Sequence, residues 1–374
     1  KMTRRRLLVT ILSILITFSL VVLMVGQRDP LALHPELWSV KRPSLKALEL
    51  PRLVMAFYHA WYGNTTGPSK KWFHWDHPIW NTATGEVIGR HDPEKFIAPN
   101  IRDIGAAHYP LTGPYDCSDP ELIKYQLDLA EEAGIDVFVI DWFGPPDGPV
   151  DNYTKTLMDY VEEHGRSIRF SILYDGYHYA KYPLSDSLNE LRYLLKTYGE
   201  RPSFLRVGNY SLIFIYACRF YTSREWDYLI RTLRYEGFQA IFLTDVFEED
   251  YAKVFDGLYT YSPLDVLLRF GNLTEVYTNA KLLASKYGGF FAGTALPGYD
   301  DTKIRRPGIF LDRQDGRVYN ETWQAVIDSG SEWALICSWN EWHEGTEIEP
   351  SIEYGTQYLK LTKYFSDKFK SKGR

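Results

Sequence analysis

From residue 52 onward, short apolar runs alternate with stretches whose apolar positions recur every three or four residues. The runs are 52–58 (RLVMAFY), 135–141 (IDVFVID), 168–174 (IRFSILY), 211–216 (SLIFIY), 239–243 (QAIFL), 254–260 (VFDGLYT), 289–293 (GFFAG) and 333–338 (WALICS). Each is β-branched or aromatic and nearly continuous in hydrophobicity, the pattern of parallel strands covered on both faces. The stretches between them predict helices over 119–133, 151–164, 184–199, 222–235, 245–252, 273–286, 320–329 and 352–370. Eight strands, each followed by a helix, predict an α/β chain of the (β/α)8 TIM barrel type. The alternative is an open doubly wound sheet, but no Gly-rich phosphate fingerprint follows the first strand. The first connection, 59–118, is unusually long, and loops of that size in compact domains are often functional.

Residues 7–25 form a different pattern, apolar apart from Thr10, Ser13, Thr17 and Ser19. At about 1.5 Å per residue a helix over this run nearly crosses a hydrocarbon core of about 30 Å. Lys1, Arg4, Arg5 and Arg6 precede it, which places the N-terminus in the cytoplasm and the rest in a lumen or outside the cell. The expected organisation is a cytoplasmic stub and signal-anchor transmembrane helix over 1–26, a stem over 27–50 and a catalytic barrel over 51–374. A cleaved signal peptide is the rival, but its apolar region is usually shorter. Five Asn-x-Ser/Thr sequons, at Asn64, Asn152, Asn209, Asn272 and Asn320, suit a lumenal face.

The composition narrows the chemistry. The net charge is −6 and no basic stripe lies outside the termini, so nucleic acid is not an expected partner. Cys117, Cys218 and Cys337 show no metal-ligand or redox spacing, and one disulfide among them is left open. Aromatic residues reach 16%, and rings stack on sugar faces as readily as they fill cores.

Past the eighth run the chain reads SWNEWHEGTEIEP (338–350), with Glu341 and Glu344 three residues apart among tryptophans. Active sites of such barrels sit at the C-terminal ends of the strands. Other strand ends carry Tyr58, Tyr62, Asp141, Trp142, Asp175, Tyr177, Asp245, Tyr259, Tyr261, Tyr299 and Asp300. Two neighbouring carboxylates cannot both ionise easily, so one holds a proton as general acid while the other acts as base or nucleophile. Glycoside hydrolysis needs that pair. A capped loop whose glutamates bind backbone N–H groups or arginines is the structural alternative.

The block 339–350 resembles the signature of the endo-α-mannosidase/endo-mannanase family of glycoside hydrolases, family 99. AWYGNTTGPSKKWFHWDHP (60–78), DIGAAHYPLTGPYDCSDP (103–120), FDGLYTY (255–261) and LPGYDDTKIR (296–305) resemble further blocks in the same order. The resemblance implies a (β/α)8 barrel that cleaves internal α-mannosidic linkages with retention and without a metal or other cofactor. It implies that Glu341 deprotonates the mannose 2-hydroxyl to form a 1,2-anhydro sugar, and that Glu344 is the acid/base. It also implies that Tyr58, Tyr62, His74, His108, Tyr109, Trp142, Asp175, Tyr259, Tyr261, Trp339, Asn340 and His343 contribute to sugar binding. His74 and His77 are expected to hydrogen-bond sugar or loop backbone, since no third metal ligand accompanies them.

Two positions depart from the family pattern. Asp175-Gly176-Tyr177 stands where the family usually has Glu-Pro-Tyr, and Asp141-Trp142 where it often has Ser-Trp. The expected function is a membrane-anchored endo-acting α-mannoside hydrolase acting on an N-glycan or mannan-type oligosaccharide. The alternatives are a related barrel acting on another α-linked glycan in polysaccharide assembly, and a non-catalytic glycan-binding module.

Overall fold

The computed structural model describes residues 29–45, 50–145, 149–176 and 183–372. Every apolar run forms a strand: β1 (Val54–Tyr58), β2 (Val137–Trp142), β3 (Arg169–Tyr174), β4 (Tyr210–Ile215), β5 (Ala240–Thr244), β6 (Gly257–Tyr259), β7 (Phe290–Ala295) and β8 (Trp333–Ile336). Each pairs in parallel with the next, and β8 pairs back onto β1 through Val54 opposite Ala334. The sheet is therefore a closed (β/α)8 barrel.

The covering helices are α1 (Pro120–Glu132), α2 (Val150–Glu163), α3 (Leu184–Thr197), α4 (Ser223–Tyr235), α5 (Glu249–Val254), α6 (Leu273–Lys286), α7 (Arg317–Asp328) and α8 (Gln357–Ser371). Local chemistry sets several of their starts. Asp119 caps α1, with Pro120 at its first position, and Thr222 and Glu225 form a reciprocal capping box on α4. Helix α5 begins four residues later than its periodicity predicts. The Asp245 carboxylate accepts the N–H groups of Ala217 and Cys218 after β4, which ties 245 to its neighbour strand and keeps it out of the helix.

Pleating divides the strand residues between two compartments. Met55, Phe57, Val137, Val139, Leu212, Phe214, Ile241, Leu243 and Leu335 fill the barrel. Val54, Ala56, Tyr58, Phe138, Ile140 and Trp142 face the helix layer. This alternation decides which side chains reach the barrel mouth.

The long first connection contains two small antiparallel pairs, 78–81 with 86–90 and 96–98 with 101–102. Its end bridges to the loop after β8 through Pro110 and Ser351. Cys117, Cys218 and Cys337 are all free thiols, buried in the core. Among the described residues no helix is long and apolar enough to cross a membrane. The apolar run 7–25 lies outside the described residues.

The described part of the segment expected as a stem, 29–45, packs on the barrel. Arg42 donates to Asp256 at 3.1 Å and to the Ala252 and Tyr287 carbonyls, and Leu45 joins the barrel-interior cluster. Asp256 is fully buried and also accepts from Arg234 at 2.6 Å and from the Phe242 amide at 2.9 Å. Removing one partner from such a network strands the remaining buried charges. Asp256→Ala is expected to lower stability by about 3 kcal/mol, read as a drop in the urea midpoint, whereas an unchanged midpoint would mean the network contributes nothing net.

Candidate active site

The loop after β8 carries charge into a buried place, and its residues divide into two sets. Trp339, wholly buried, packs on Phe138 of β2 at 5.2 Å between ring centroids. Trp342 donates through Nε1 to the Tyr115 hydroxyl at 2.9 Å, and Asn340 donates to the same oxygen at 3.2 Å. Asn340 Oδ1 accepts the His59 amide at 2.7 Å, which fixes the residue after β1. Glu347 is held by Arg313 and by His108 Nδ1, at 2.7 and 2.8 Å. Glu349 accepts from Tyr115 and Gln126, both at 2.7 Å. Gly345 has φ +57°, and a Cβ there would lie 3.0 Å from Asp300, so only glycine suits this turn. The tryptophans, Asn340 and two of the four glutamates are thus the anchored back of the loop. Glu341 and Glu344 are its front.

The front faces a cavity of about 220 Å³ at the C-terminal mouth, lined by His59, Trp61, Asp141, Leu173, Asp175, Tyr216, Tyr261, Arg305, Glu341 and Glu344. Glu341 is buried; its Oε1 accepts the His343 amide at 3.0 Å, and Oε2 lies 3.4 Å from His59 Nε2. Burial first, then the neighbouring Glu344 charge, pushes the Glu341 carboxyl well above the usual range. Glu344 is more open and accepts from Arg305 Nη1 at 3.0 Å. Asp141 is likewise pushed up, by burial and then by Asp175 and Glu344, and its Oδ1 meets no hydrogen-bond partner among the described residues. Burial drops His59 to about 3, so it stands as a neutral imidazole between Glu341 and Asp141. The mouth therefore holds two buried carboxyls pushed up by their surroundings, Glu341 and Asp141, one arginine-paired carboxylate and a neutral histidine.

A larger cavity of about 520 Å³ adjoins it, sharing Tyr216 and Tyr261 and extending past Asp245 and Thr260 towards α6. The Thr260 hydroxyl there has no hydrogen-bond partner among the described residues.

The structure brings Glu341, Glu344, Asp175 and Tyr261 together in the smaller cavity. His343 and His74 form the layer behind it. His343 Nε2 donates to the His74 carbonyl at 3.0 Å, and the two rings stack at 5.5 Å. His77 lies 4.3 Å from the His343 ring. Among the described residues no group of three or more His, Cys, Asp or Glu is placed to hold a metal ion.

Other expected binders do not reach the cavity, and pleating explains most of them. Tyr58 and Trp142 point outward into the helix layer, where Tyr58 donates to Gln126 at 2.7 Å and Trp142 to Asp151 at 3.1 Å. Tyr259 points inward one step too deep and donates to the Ile215 carbonyl at 2.9 Å. Tyr62 stacks on Trp75 at 4.2 Å, and its oxygen accepts the Trp342 amide. His108 serves Glu347, and the Tyr109 oxygen accepts the Arg102 amide at 3.2 Å. Trp339 and Asn340 belong to the back of the loop.

His59, Trp61, Tyr216 and Arg305 line the cavity without having been singled out as binders. Strand parity identifies three of them: Met55 and Phe57 point inward, so His59 and Trp61 follow, and Leu212 and Phe214 lead to Tyr216. Arg305 carries no such signal, because it arrives on a loop strand paired with Trp80 and Asn81.

Glu349 generates a pH prediction. Burial raises its carboxyl from 4.5 to about 7. The folded chain then binds this proton more tightly than the unfolded chain, so stability is fullest below about pH 4.5 and falls as pH rises towards 7. At about 1.4 kcal/mol per unit, the swing from this one group is on the order of 3 kcal/mol. Glu349→Gln is expected to flatten urea midpoints measured between pH 4.5 and 7.5; an undiminished slope would place the coupling elsewhere.

Comparison with known proteins matches this geometry. The profile of Glycosyl hydrolase family 99 matches residues 49–371. The chain is 28% identical to the mouse (Mus musculus) glycoprotein endo-alpha-1,2-mannosidase over 364 residues, covering 86% of this chain and 76% of the relative. It is also 28% identical to the human (Homo sapiens) glycoprotein endo-alpha-1,2-mannosidase-like protein, covering 84% of this chain and 75% of the relative. The solved structure of a family 99 endo-alpha-mannosidase from Bacteroides thetaiotaomicron superposes with a TM-score of 0.72 at 26% identity, covering 86% of this chain and 99% of that one. A closed barrel whose eighth strand presents two carboxylates to one polar cavity, over a span the family profile matches almost end to end, makes this chain a glycoside hydrolase belonging to family 99.

Proposed function

We propose that this chain is a retaining, endo-acting α-mannoside hydrolase whose substrate is an α-1,2-linked mannosyl oligosaccharide of the N-glycan or mannan type. The observation that carries the reading is the unequal pair, buried Glu341 and arginine-paired Glu344, facing one small cavity. The endo-alpha-mannosidase names of the relatives support the same class.

In this reading Glu341 takes the proton of the mannose 2-hydroxyl. O2 forms a bond to C1 as the bond from C1 to the leaving oxygen breaks, and Glu344 gives its proton to that oxygen. Water oxygen then bonds to C1 as the C1–O2 bond of the 1,2-anhydro sugar breaks. Glu344 takes the water proton, and Glu341 returns its proton to O2. The axial 2-hydroxyl of mannose is trans to an axial leaving group, which permits this attack. A carboxyl with a raised pKa is the stronger base once ionised, which suits Glu341 to an alcohol proton. Arg305, 3.0 Å from Glu344, offsets the charge left there after the first transfer. The adjoining 520 Å³ cavity gives room for further sugars, as an internal cut requires.

The shorter Asp175, where the family usually has Glu, is proposed to reset which neighbouring sugar is accepted. The barrel is proposed to face a lumen or the cell exterior, held by the apolar run at 7–25.

Glu344→Gln and Glu341→Gln are each expected to lower turnover of α-1,2-mannosyl oligosaccharides by about 10²–10⁴-fold, with binding retained, in assays that weigh the released fragments. Release of an intact disaccharide or larger reducing fragment by the unmodified chain supports endo-action. Binding without any cleavage would point instead to a glycan-binding module.

The acid limb of kcat/KM is expected above the ordinary carboxylate range, because Glu341 must be ionised to act. Asp141→Asn removes a charge that raises Glu341 and should move that limb to lower pH. A limb that stays in place would remove Glu341 as the titrating group.

A further inference from the structure

We infer that this chain is an N-glycoprotein whose glycans sit on Asn152, Asn209, Asn272 and Asn320 and spare Asn64. Five of its ten asparagines lie in Asn-x-Ser/Thr sequons, although Ser and Thr make up only 44 of the 374 residues. At that frequency about one of ten would be expected, so the excess asks for a reason.

The fold explains three of the hydroxyls. Thr154 donates to Val150, Ser211 to Gly199 and Thr322 to Leu296, all to backbone carbonyls in the interior. It does not explain the asparagines two residues earlier. Asn152, Asn209 and Asn320 are exposed, and among the described residues their side chains make no hydrogen bond. Asn152 and Asn320 also occupy first turns of helices, where asparagine is a poor helix former. Asn272 caps α6 through Oδ1, which accepts the Glu275 amide at 3.1 Å, while its Nδ2 makes no hydrogen bond among the described residues. Each of the four can carry a bulky solvated group without disturbing the core.

Asn64 is different. It is half-buried in the first connection, with Oδ1 accepting the amides of Thr66 and Gly67 at 3.1 and 2.5 Å. Its Nδ2 donates to the Pro114 carbonyl at 3.0 Å. The loop is tight enough that a Cβ on Gly67 would sit 2.9 Å from Asn64 Oδ1. A sugar on this nitrogen would have to leave through packed backbone. The modification needs a lumenal barrel, the orientation that the cationic residues before the apolar run dictate, and it is independent of the carbohydrate that the active site accepts.

The test is the full chain expressed in a eukaryotic secretory host, with peptide mapping after enzymatic removal of N-glycans, which converts each occupied Asn to Asp. Conversion is expected at 152, 209, 272 and 320 and not at 64. The mobility shift should vanish in the variant Asn152→Gln, Asn209→Gln, Asn272→Asp, Asn320→Gln, where Asp at 272 keeps the helix cap. Should that variant misfold, the site map of the unaltered chain still decides. No conversion at any site, a glycan on Asn64 of the folded chain, or a shift that survives in the variant would overturn the inference.

Discussion

A single loop must carry four glutamates out of a barrel and keep three of them away from water. Ionised carboxylates in a low-dielectric interior are stable only with partners, and without them they hold protons. The chain uses both solutions side by side. Glu347 is held by Arg313 and His108, and its carboxyl stays below the ordinary range, burial working against that and these two partners outweighing it. Glu341 has an amide and two neutral imidazoles close by, those of His59 at 3.4 Å and His343 at 3.6 Å, and its carboxyl rises. The difference between a glutamate whose carboxyl is raised and one whose carboxyl is lowered is here a difference in neighbours.

The supporting layer is as much a part of the site as the cavity. Asn340 ties the loop after β8 to the backbone after β1, and Tyr115 joins Asn340, Trp342 and Glu349. Tyr58 enters the same network through Gln126. Residues that resemble sugar binders thus work one layer back, fixing Glu341 and His59 in relation to each other. Such outer shells hold reacting groups within the narrow limits that catalysis needs.

The barrel mouth is chemically lopsided. The smaller cavity is lined by Asp141, Asp175, Glu341 and Glu344, whereas the acids of the larger one beside it, Asp245, Glu248 and Asp265, are spread among aromatic, aliphatic and hydroxyl side chains. Asp141 and Asp175 lie in the smaller one, so the two departures from the family pattern share a cavity with Glu341 and Glu344. Their mutual repulsion adds to burial in raising Asp141.

Hydrophobic patterning along the chain dictated the number, order and type of the barrel elements. Fully buried parallel strands must be continuously apolar, and helices covering them must be amphipathic, so both leave a periodic trace. Residue order also determined the carboxylate pair, because Glu341 and Glu344 are adjacent in the chain and follow a strand end. Which aromatic residues face the mouth depends instead on three-dimensional packing. One step along a pleated strand reverses a side chain, so Tyr58 and Trp142 turn to the helices while His59 and Asp141 turn to the cavity. Arg305 reaches Glu344 from a loop strand 39 residues earlier, and no local pattern encodes a meeting of that kind. Packing alone brought it there.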